Sequence, residues 1–474
     1  MITAKNFTTL RRSLLAGETT CEHIVNGYLD TISSHQRLNA FLSVFAEEAQ
    51  ERARAVDKKI DRGIHGPLAG MVVALKDNLC MSGKRVTCGS KILEQFESPY
   101  DATVVRKLTD ADAIVIGKTN LDEFAMGSST ENSAFHPVLH PADETRVPGG
   151  SSGGSAVAVA AGMATTALGS DTGGSVRQPA AMCGVVGLKP TYGRVSRYGL
   201  VAFASSFDQI GPFGASVTDA AAVLEVIAGH DPSDSTSARM PVPAYTKQLS
   251  RTISGLRVGL PREYFSDGLG KEIHAAINSR VDILKEHGAE VKEVSLPHSE
   301  YTIATYYILT TAEASSNLAR YDGARYGFRA RGSHDVTAMY TKSRSEGFGA
   351  EVKRRIMLGT YVLSAGYYDA YYRKGQQTRR LIKEDFDNVF REVDCLITPT
   401  APTTAFKLNE KIDDPLTMYL SDIYTVSANL AGVPAISIPC GNDHHGLPIG
   451  LQIIGKQFDE ETILRVGYLL EGKG

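Results

Sequence analysis

The chain has 474 residues, 42% of them hydrophobic, and a formal net charge of -3. That is enough for a large core, and a near-neutral surface without a basic stripe argues against a strong grip on nucleic acid by this chain alone. Six cysteines (Cys21, Cys80, Cys88, Cys183, Cys395, Cys440) are scattered without a Cys-x-x-Cys pair, which argues against a disulfide framework or zinc knuckle and fits a reducing cytoplasm.

Met1 to Thr20 mixes Lys5, Arg11, Arg12 and Glu18 among polar residues, so no signal peptide is read there. The longest uncharged run, Gly149 to Ser170, is too weakly apolar for a membrane span. Residues 1–62 read as a helical preface: Glu22 to Ser33 and Val44 to Asp61 place apolar residues at three- and four-residue spacing. Gly70 to Leu75 reads as a buried strand ending in Lys76-Asp77-Asn78. Thr103 to Asp110 follows as a helix, and Ala113 to Ile116 as a second strand. This β-α-β alternation predicts an α/β fold with a largely parallel sheet covered by helices.

Gly149 to Ser175 is the unusual stretch. Gly149-Gly150-Ser151-Ser152-Gly153-Gly154-Ser155 opens it, an alanine-rich segment follows, and Asp171-Thr172-Gly173-Gly174-Ser175 closes it. Glycine is costly in chain entropy, so its density here points to backbone N–H groups that approach something bound. Gly184 to Leu188 and Gly199 to Ala204 are further strand candidates, and Thr218 to Ile227 is a helix. His230 to Pro243 is a surface loop or boundary. Leu256 to Leu260, Lys271 to His287 and Ala289 to Val294 repeat the strand-helix-strand order. Tyr301 to Tyr326 and Glu346 to Glu384 are helical and rich in tyrosine. Cys395 to Thr398, Ala435 to Ile438 and Gly450 to Ile454 are strands, and Glu460 to Leu470 a final helix.

Three short motifs fail on their own terms. Gly117-Lys118-Thr119 lacks the earlier glycine of a phosphate loop, since position 112 is Asp112. Gly150-Ser151-Ser152-Gly153-Gly154 fits Gly-x-Ser-x-Gly, but Glu144 to Pro148 is no strand to precede a nucleophile elbow. Asp171-Thr172-Gly173 has no second copy to supply the other carboxylate of an aspartic protease.

Serine chemistry without histidine remains, because no histidine lies between His140 and His230. A serine nucleophile then needs another base, and lysine serves when burial keeps it neutral. Lys76, delivered by a core strand, is the candidate. Ser175 follows Gly173-Gly174, whose N–H groups can form a nest for an oxyanion. Ser151, just before an alanine-rich helix, can relay a proton between Lys76 and Ser175. Each feature also has a plain reading: a strand-end lysine paired with Asp77, and serines that cap helices and turns.

These residues, with Val176-Arg177-Gln178-Pro179-Ala180, Gly187-Leu188-Lys189-Pro190-Thr191 and Val73-Ala74-Leu75-Lys76-Asp77-Asn78, resemble the amidase signature family. The resemblance implies a large mixed, mostly parallel sheet with helices on both faces. It also implies one domain over 1–474, in which 70–215 is the signature core and 216–474 completes the sheet and the substrate pocket. It gives Ser175 as nucleophile, Ser151 (in a cis peptide) as bridge and Lys76 as base. Thr172, Gly173, Gly174 and Ser175 would form the oxyanion hole.

Glu313 to Leu318, Arg354 to Gly359 and Ser421 to Thr425 resemble one branch of the family, the glutaminase subunits of bacterial tRNA-dependent amidotransferases. That branch implies a cytoplasmic heterotrimer with B and C subunits, in which glutamine is the substrate of this chain. The ammonia passes to a partner that amidates misacylated tRNA, carrying glutamate, aspartate or either, with ATP and Mg2+. No cofactor is then expected in this chain. By the same resemblance Arg355 clamps the glutamine carboxylate, Asp422 pairs with its ammonium, Tyr306 (or Tyr307) lines the pocket, and Met126, Gly127 and Ser128 abut the side-chain amide. A stand-alone amidase for small aliphatic or aryl amides shares the triad without needing Arg355 and Asp422. A non-catalytic scaffold or tRNA-binding subunit is a third reading, against which the intact triad argues.

Overall fold

The computed structural model describes residues 6–265 and 268–472. Residues 1–5, part of the segment read as lacking a signal peptide, lie outside it. One 11-stranded sheet runs through the molecule. In chain order its strands are β1 (Phe41–Val44), β2 (Val72–Lys76), β3 (Ile114–Thr119), β4 (Thr166–Asp171), β5 (Val186–Lys189), β6 (Gln209–Gly214), β7 (Arg257–Pro261), β8 (Glu290–Val294), β9 (Cys395–Pro399), β10 (Ala435–Asn442) and β11 (Pro448–Gly455). The spatial order is β1-β3-β2-β4-β6-β5-β10-β11-β9-β7-β8.

The parallel pairing expected from the strand-helix-strand alternation lies in two flanking blocks, β3-β2-β4 and β9-β7-β8. Between them β4 to β9 pair antiparallel, and β1 closes one edge antiparallel to β3. The reason is the connections: long helical crossovers return a strand parallel, whereas β10 and β11 are joined by a short turn at Asp443–Leu447. Successive strand residues point to opposite faces, and every residue of β2, β3, β4, β6 and β9 is buried, so helices and loops cover both faces there.

The N-terminal helices form as their spacing predicts. In the helix Cys21–Ser34, the Thr20 hydroxyl accepts the His23 N–H at 3.1 Å, a cap worth about 1 kcal/mol. Val44, read as helical, belongs instead to β1, whose Ser43 and Val44 pair with Lys118 and Gly117. Gly117 is glycine for that reason: a Cβ there would lie 2.3 Å from the Ser43 carbonyl oxygen. Gly199 to Ala204 is not a strand. Leu200 makes one bridge to Leu79, and the N–H groups of Phe203 and Ala204 turn onto the Asp208 carboxylate at 3.0 and 3.1 Å. Among the described residues no helix is long and apolar enough to cross a membrane.

Candidate active site

Lys76 is the last residue of β2 and is fully buried. Its Nζ lies 2.7 Å from Ser151 Oγ, 2.8 Å from Ser152 Oγ and 3.0 Å from Ser170 Oγ. Burial lowers its pKa from 10.5 to about 7, even though the charges of Asp122, Asp171 and Asp208 act to raise it. A large fraction is therefore neutral near neutral pH. The plain alternative for Lys76, an ion pair with Asp77, is not what forms: Asp77 takes Lys118 at 3.0 Å and the Thr87 N–H at 2.9 Å.

Ser151 follows a cis peptide bond from Gly150, the geometry the resemblance implies. The Gly150 N–H donates to Gln178 Oε1 at 2.9 Å, while Gln178 Nε2 donates to the Ser128 carbonyl at 2.9 Å. One amide side chain thus ties the serine loop to the loop that carries Ser128. A Cβ on Gly150 would sit 2.2 Å from Asp122 Oδ2. Ser152, the serine of the Gly-x-Ser-x-Gly match, is fully buried at the start of the helix Gly153–Ala160 and bound to Lys76 and to the Ser170 carbonyl at 3.2 Å.

Ser175 ends the second glycine loop and, at 8% exposure, is the most accessible of the three, with Lys76 and Ser151 at 0%. Asp171 shapes this loop from inside. Its carboxylate accepts the N–H groups of Gly174 at 2.9 Å and Val176 at 3.2 Å and forms a buried ion pair with Arg177 at 3.0 Å. Burial acts to raise the Asp171 pKa, but the Arg177 charge prevails and holds it down at about 2. Asp171-Thr172-Gly173 is therefore a structural turn. The Gly174 N–H, one of the donors expected of an oxyanion hole, is therefore engaged by Asp171. Thr172 Oγ1 is itself fixed by Asp208 at 2.7 Å, and the Gly173 carbonyl by Thr425 Oγ1 at 2.7 Å.

Of the residues expected to bind substrate, Tyr306 touches this loop directly. Tyr306 packs on Gly173 so tightly that a Cβ there would lie 2.4 Å from the phenol oxygen. Tyr307 instead stacks on Tyr419, with ring centroids 3.8 Å apart, and lies 5.2 Å from the Arg355 guanidinium carbon. Tyr306 thus meets the glycine loop, and Tyr307 the Arg355 side. Asp422 accepts the Ser128 hydroxyl at 2.5 Å, and burial raises its pKa to about 7 against the pull of Ser128 and Arg355. Met126 and Ser128 are buried, and Gly127 reaches a cavity of about 250 Å³ that Arg355, Lys411 and Tyr419 also line. The loop below is folded on Asp122, which accepts Thr130 N–H at 2.9 Å and Asn132 N–H at 3.1 Å. Phe124, Ala125 and Thr130 hold φ values of 51, 62 and 61° there, strain of the kind concentrated at functional loops.

Sequence reasoning reached Lys76, Ser151 and Ser175, met Ser152 only as the serine of the rejected Gly-x-Ser-x-Gly match, and gave Ser170, Gln178 and Asp208 no role. Ser170 and Gln178 lie inside quoted stretches and Asp208 outside them; their partners come from strands and loops that only the folded sheet brings near.

The Amidase family model matches residues 23–464. The chain is 58% identical over 472 residues, 99% of this chain and 96% of the other, to the A subunit of the glutamyl-tRNA(Gln) amidotransferase of Carboxydothermus hydrogenoformans. It is 56% identical to the protein of the same name from Salinibacter ruber, covering 97% of this chain and 98% of that one. The crystal structure of the corresponding glutamyl-tRNA(Gln) amidotransferase protein from Thermotoga maritima superposes with a TM-score of 0.78 at 45% identity, covering 94% of this chain and 90% of that one. The peptide amidase of Stenotrophomonas maltophilia superposes at 0.82 with 32% identity, covering 98% and 96%. The fold, the glycine-serine loops and these similarities agree: the chain belongs to the amidase family.

Proposed function

We propose that this chain is the glutamine-hydrolysing component of a tRNA-dependent amidotransferase and that Lys76, Ser151 and Ser175 carry its chemistry. The observation that carries the reading is the fully buried Lys76 Nζ within 2.7 Å of Ser151 Oγ, with the Ser175 carbonyl on the N–H of the adjacent Ser152 at 3.3 Å. Neutral Lys76 takes the Ser151 proton as Ser151 takes that of Ser175. Ser175 Oγ attacks the side-chain amide carbon of glutamine, and N–H groups of the 172–175 loop receive the oxyanion. The relay returns the proton to the leaving nitrogen, so ammonia departs and a glutamyl ester remains. Water, deprotonated by the same relay, cleaves the ester to glutamate and restores Ser175. Arg355 takes the substrate carboxylate and Asp422 its ammonium.

The relatives' names support amidation of Glu-tRNA(Gln) by a multi-subunit enzyme. The reading extends to Asp-tRNA(Asn) as a second acceptor and to a heterotrimer with B and C subunits in the cytoplasm. In it the partner holds ATP and Mg2+, this chain needs no cofactor, and all of it forms one catalytic domain. A glutaminase assay on the purified chain, with and without the other subunits, tests the proposal. Glutamine hydrolysis that appears in the assembled enzyme supports it. Hydrolysis of simple amides, with none of glutamine under either condition, favours a stand-alone amidase instead.

A further inference from the structure

Arg355 has an unusual setting. Its side chain is 3% exposed, and its guanidinium carbon lies 5.6, 5.2 and 5.4 Å from the rings of Phe203, Tyr307 and Tyr419. Among the described residues only its Nε has a hydrogen-bond partner: it donates to Glu351 Oε1 at 2.8 Å. Glu351 is one helical turn earlier, in the first turn of the helix Ala350–Leu363, where an i,i+4 pair meets and a negative charge suits the helix N-terminus. It is held in turn. The Tyr419 hydroxyl donates to the same Oε1 at 2.9 Å, and Arg354 pairs with Oε2.

An arginine among aromatic faces is attracted to all of them and oriented by none. A planar guanidinium binds a carboxylate bidentately only if its fork faces the ligand. Anchoring Nε fixes the roll of the plane and leaves Nη1 and Nη2 for the cavity that Arg355 and Glu351 both line. We infer that Glu351 is a positioning residue: it sets the fork of Arg355 toward the α-carboxylate of the substrate and so selects free glutamine over substrates blocked at that end. This rests on the glutaminase reading above.

The test uses the assembled enzyme and two substrates, glutamine and its α-amide, in which the carboxylate is replaced. Glu351→Ala frees the guanidinium, whereas Glu351→Gln keeps an acceptor for Nε. Expected for Glu351→Ala is a KM for glutamine raised about 10-fold or more, the scale of a lost charge-assisted bond, with kcat for the α-amide unchanged. The preference for glutamine over its α-amide then collapses, and Glu351→Gln restores most of it. Unchanged α-amide turnover also shows that Glu351→Ala is folded; if that variant does not fold, Tyr419→Phe, which removes the hydroxyl that holds Glu351 Oε1, should lower the same preference ratio. A preference left intact in Glu351→Ala, or in Tyr419→Phe where it carries the test, overturns the inference while leaving the glutaminase reading in place. A wild-type enzyme that hydrolyses no glutamine overturns both.

Discussion

Nζ of Lys76 and Oγ of Ser151 stand 2.7 Å apart in a pocket where neither residue is exposed to solvent. Ser175 is 8% exposed, and its carbonyl oxygen accepts the N–H of Ser152, next to Ser151, at 3.3 Å. Replacing Ser175 with Ala removes the attacking oxygen and little else. Glutamine hydrolysis should fall by about 10³-fold or more, of the order seen for lost nucleophiles, while thermal stability stays near wild type. Amidation of misacylated tRNA with added ammonia should survive, so the two activities separate in one assay.

The titration of Lys76 should be visible in rate. In the proposed relay its neutral form is the base, and with a pKa of about 7 the acid limb of kcat/KM should lie near that pH. It should be visible in stability too. Between about 7 and 10.5 the unfolded chain binds a proton at this lysine that the folded chain does not, so its contribution rises with pH and is lost as pH falls through 7. Lys76→Met should flatten the stability profile by about 1.4 kcal/mol per pH unit in that window, read by urea unfolding at two pH values. Subtracting the variant from wild type matters, because Lys189 is lowered to about 7 by burial as well.

Arg355→Ala should raise KM for glutamine by about 10- to 100-fold, since bonds to charged groups contribute about 1.5–3 kcal/mol. Its neighbour Arg354 is 42% exposed and pairs with Glu351, which is 10% exposed. Arg354→Ala should change stability by about 0.5 kcal/mol or less. Equal KM effects from both substitutions would contradict the clamp.

Asp171→Ala leaves Arg177 charged and without its carboxylate in a site where both are 0% exposed. Losing one partner of a buried pair costs about 3–5 kcal/mol, and the N–H of Gly174 loses its acceptor as well. Denaturant unfolding should register the loss, accompanied by inactive enzyme.

Gly173→Ala tests the loop differently. The new methyl would meet the Tyr306 ring and hydroxyl at 2.4 Å, so either the loop or the tyrosine must move. Displacement of about 1 Å beside the reacting serine should reduce kcat by ~10²-fold. Tyr306→Phe in the same chain should not relieve the clash, because the ring carbon contacts remain; Tyr306→Ala should.

The strands that the sequence disclosed are those with unbroken apolar runs, such as Val72 to Leu75 and Cys395 to Ile397. β4 and β6 have no such run, because Gly169 and Ser170, or Gly211, Pro212 and Gly214, interrupt it; they are strands because neighbours on both sides pair with them. Gly211 is required in β6 because the Leu188 carbonyl oxygen lies 2.1 Å from where a Cβ would be. Leu200 to Phe203 failed the other way: the backbone after this apolar run is wrapped around Asp208 rather than laid in a ladder. At the site, Lys76 was legible as the end of a core strand and Ser175 as the end of a glycine loop. Ser170, which faces Lys76 from a neighbouring strand, was not, because sheet register is a tertiary fact.

Arg177 has a bearing on how the molecule comes into being. Its Nη1 donates to the Thr425 carbonyl at 3.0 Å and to Gln452 at 2.6 Å, and its Nη2 to Asn429 at 2.6 Å. The loop carrying Ser175 is therefore braced by residues some 250 positions further along. Lys76, Ser151 and Ser175 all emerge from the ribosome in the first half of the chain, yet the brace on Arg177 is made by Thr425, Asn429 and, on β11, Gln452. A nascent chain that stops short of these residues carries Arg177 and Ser175 without those contacts.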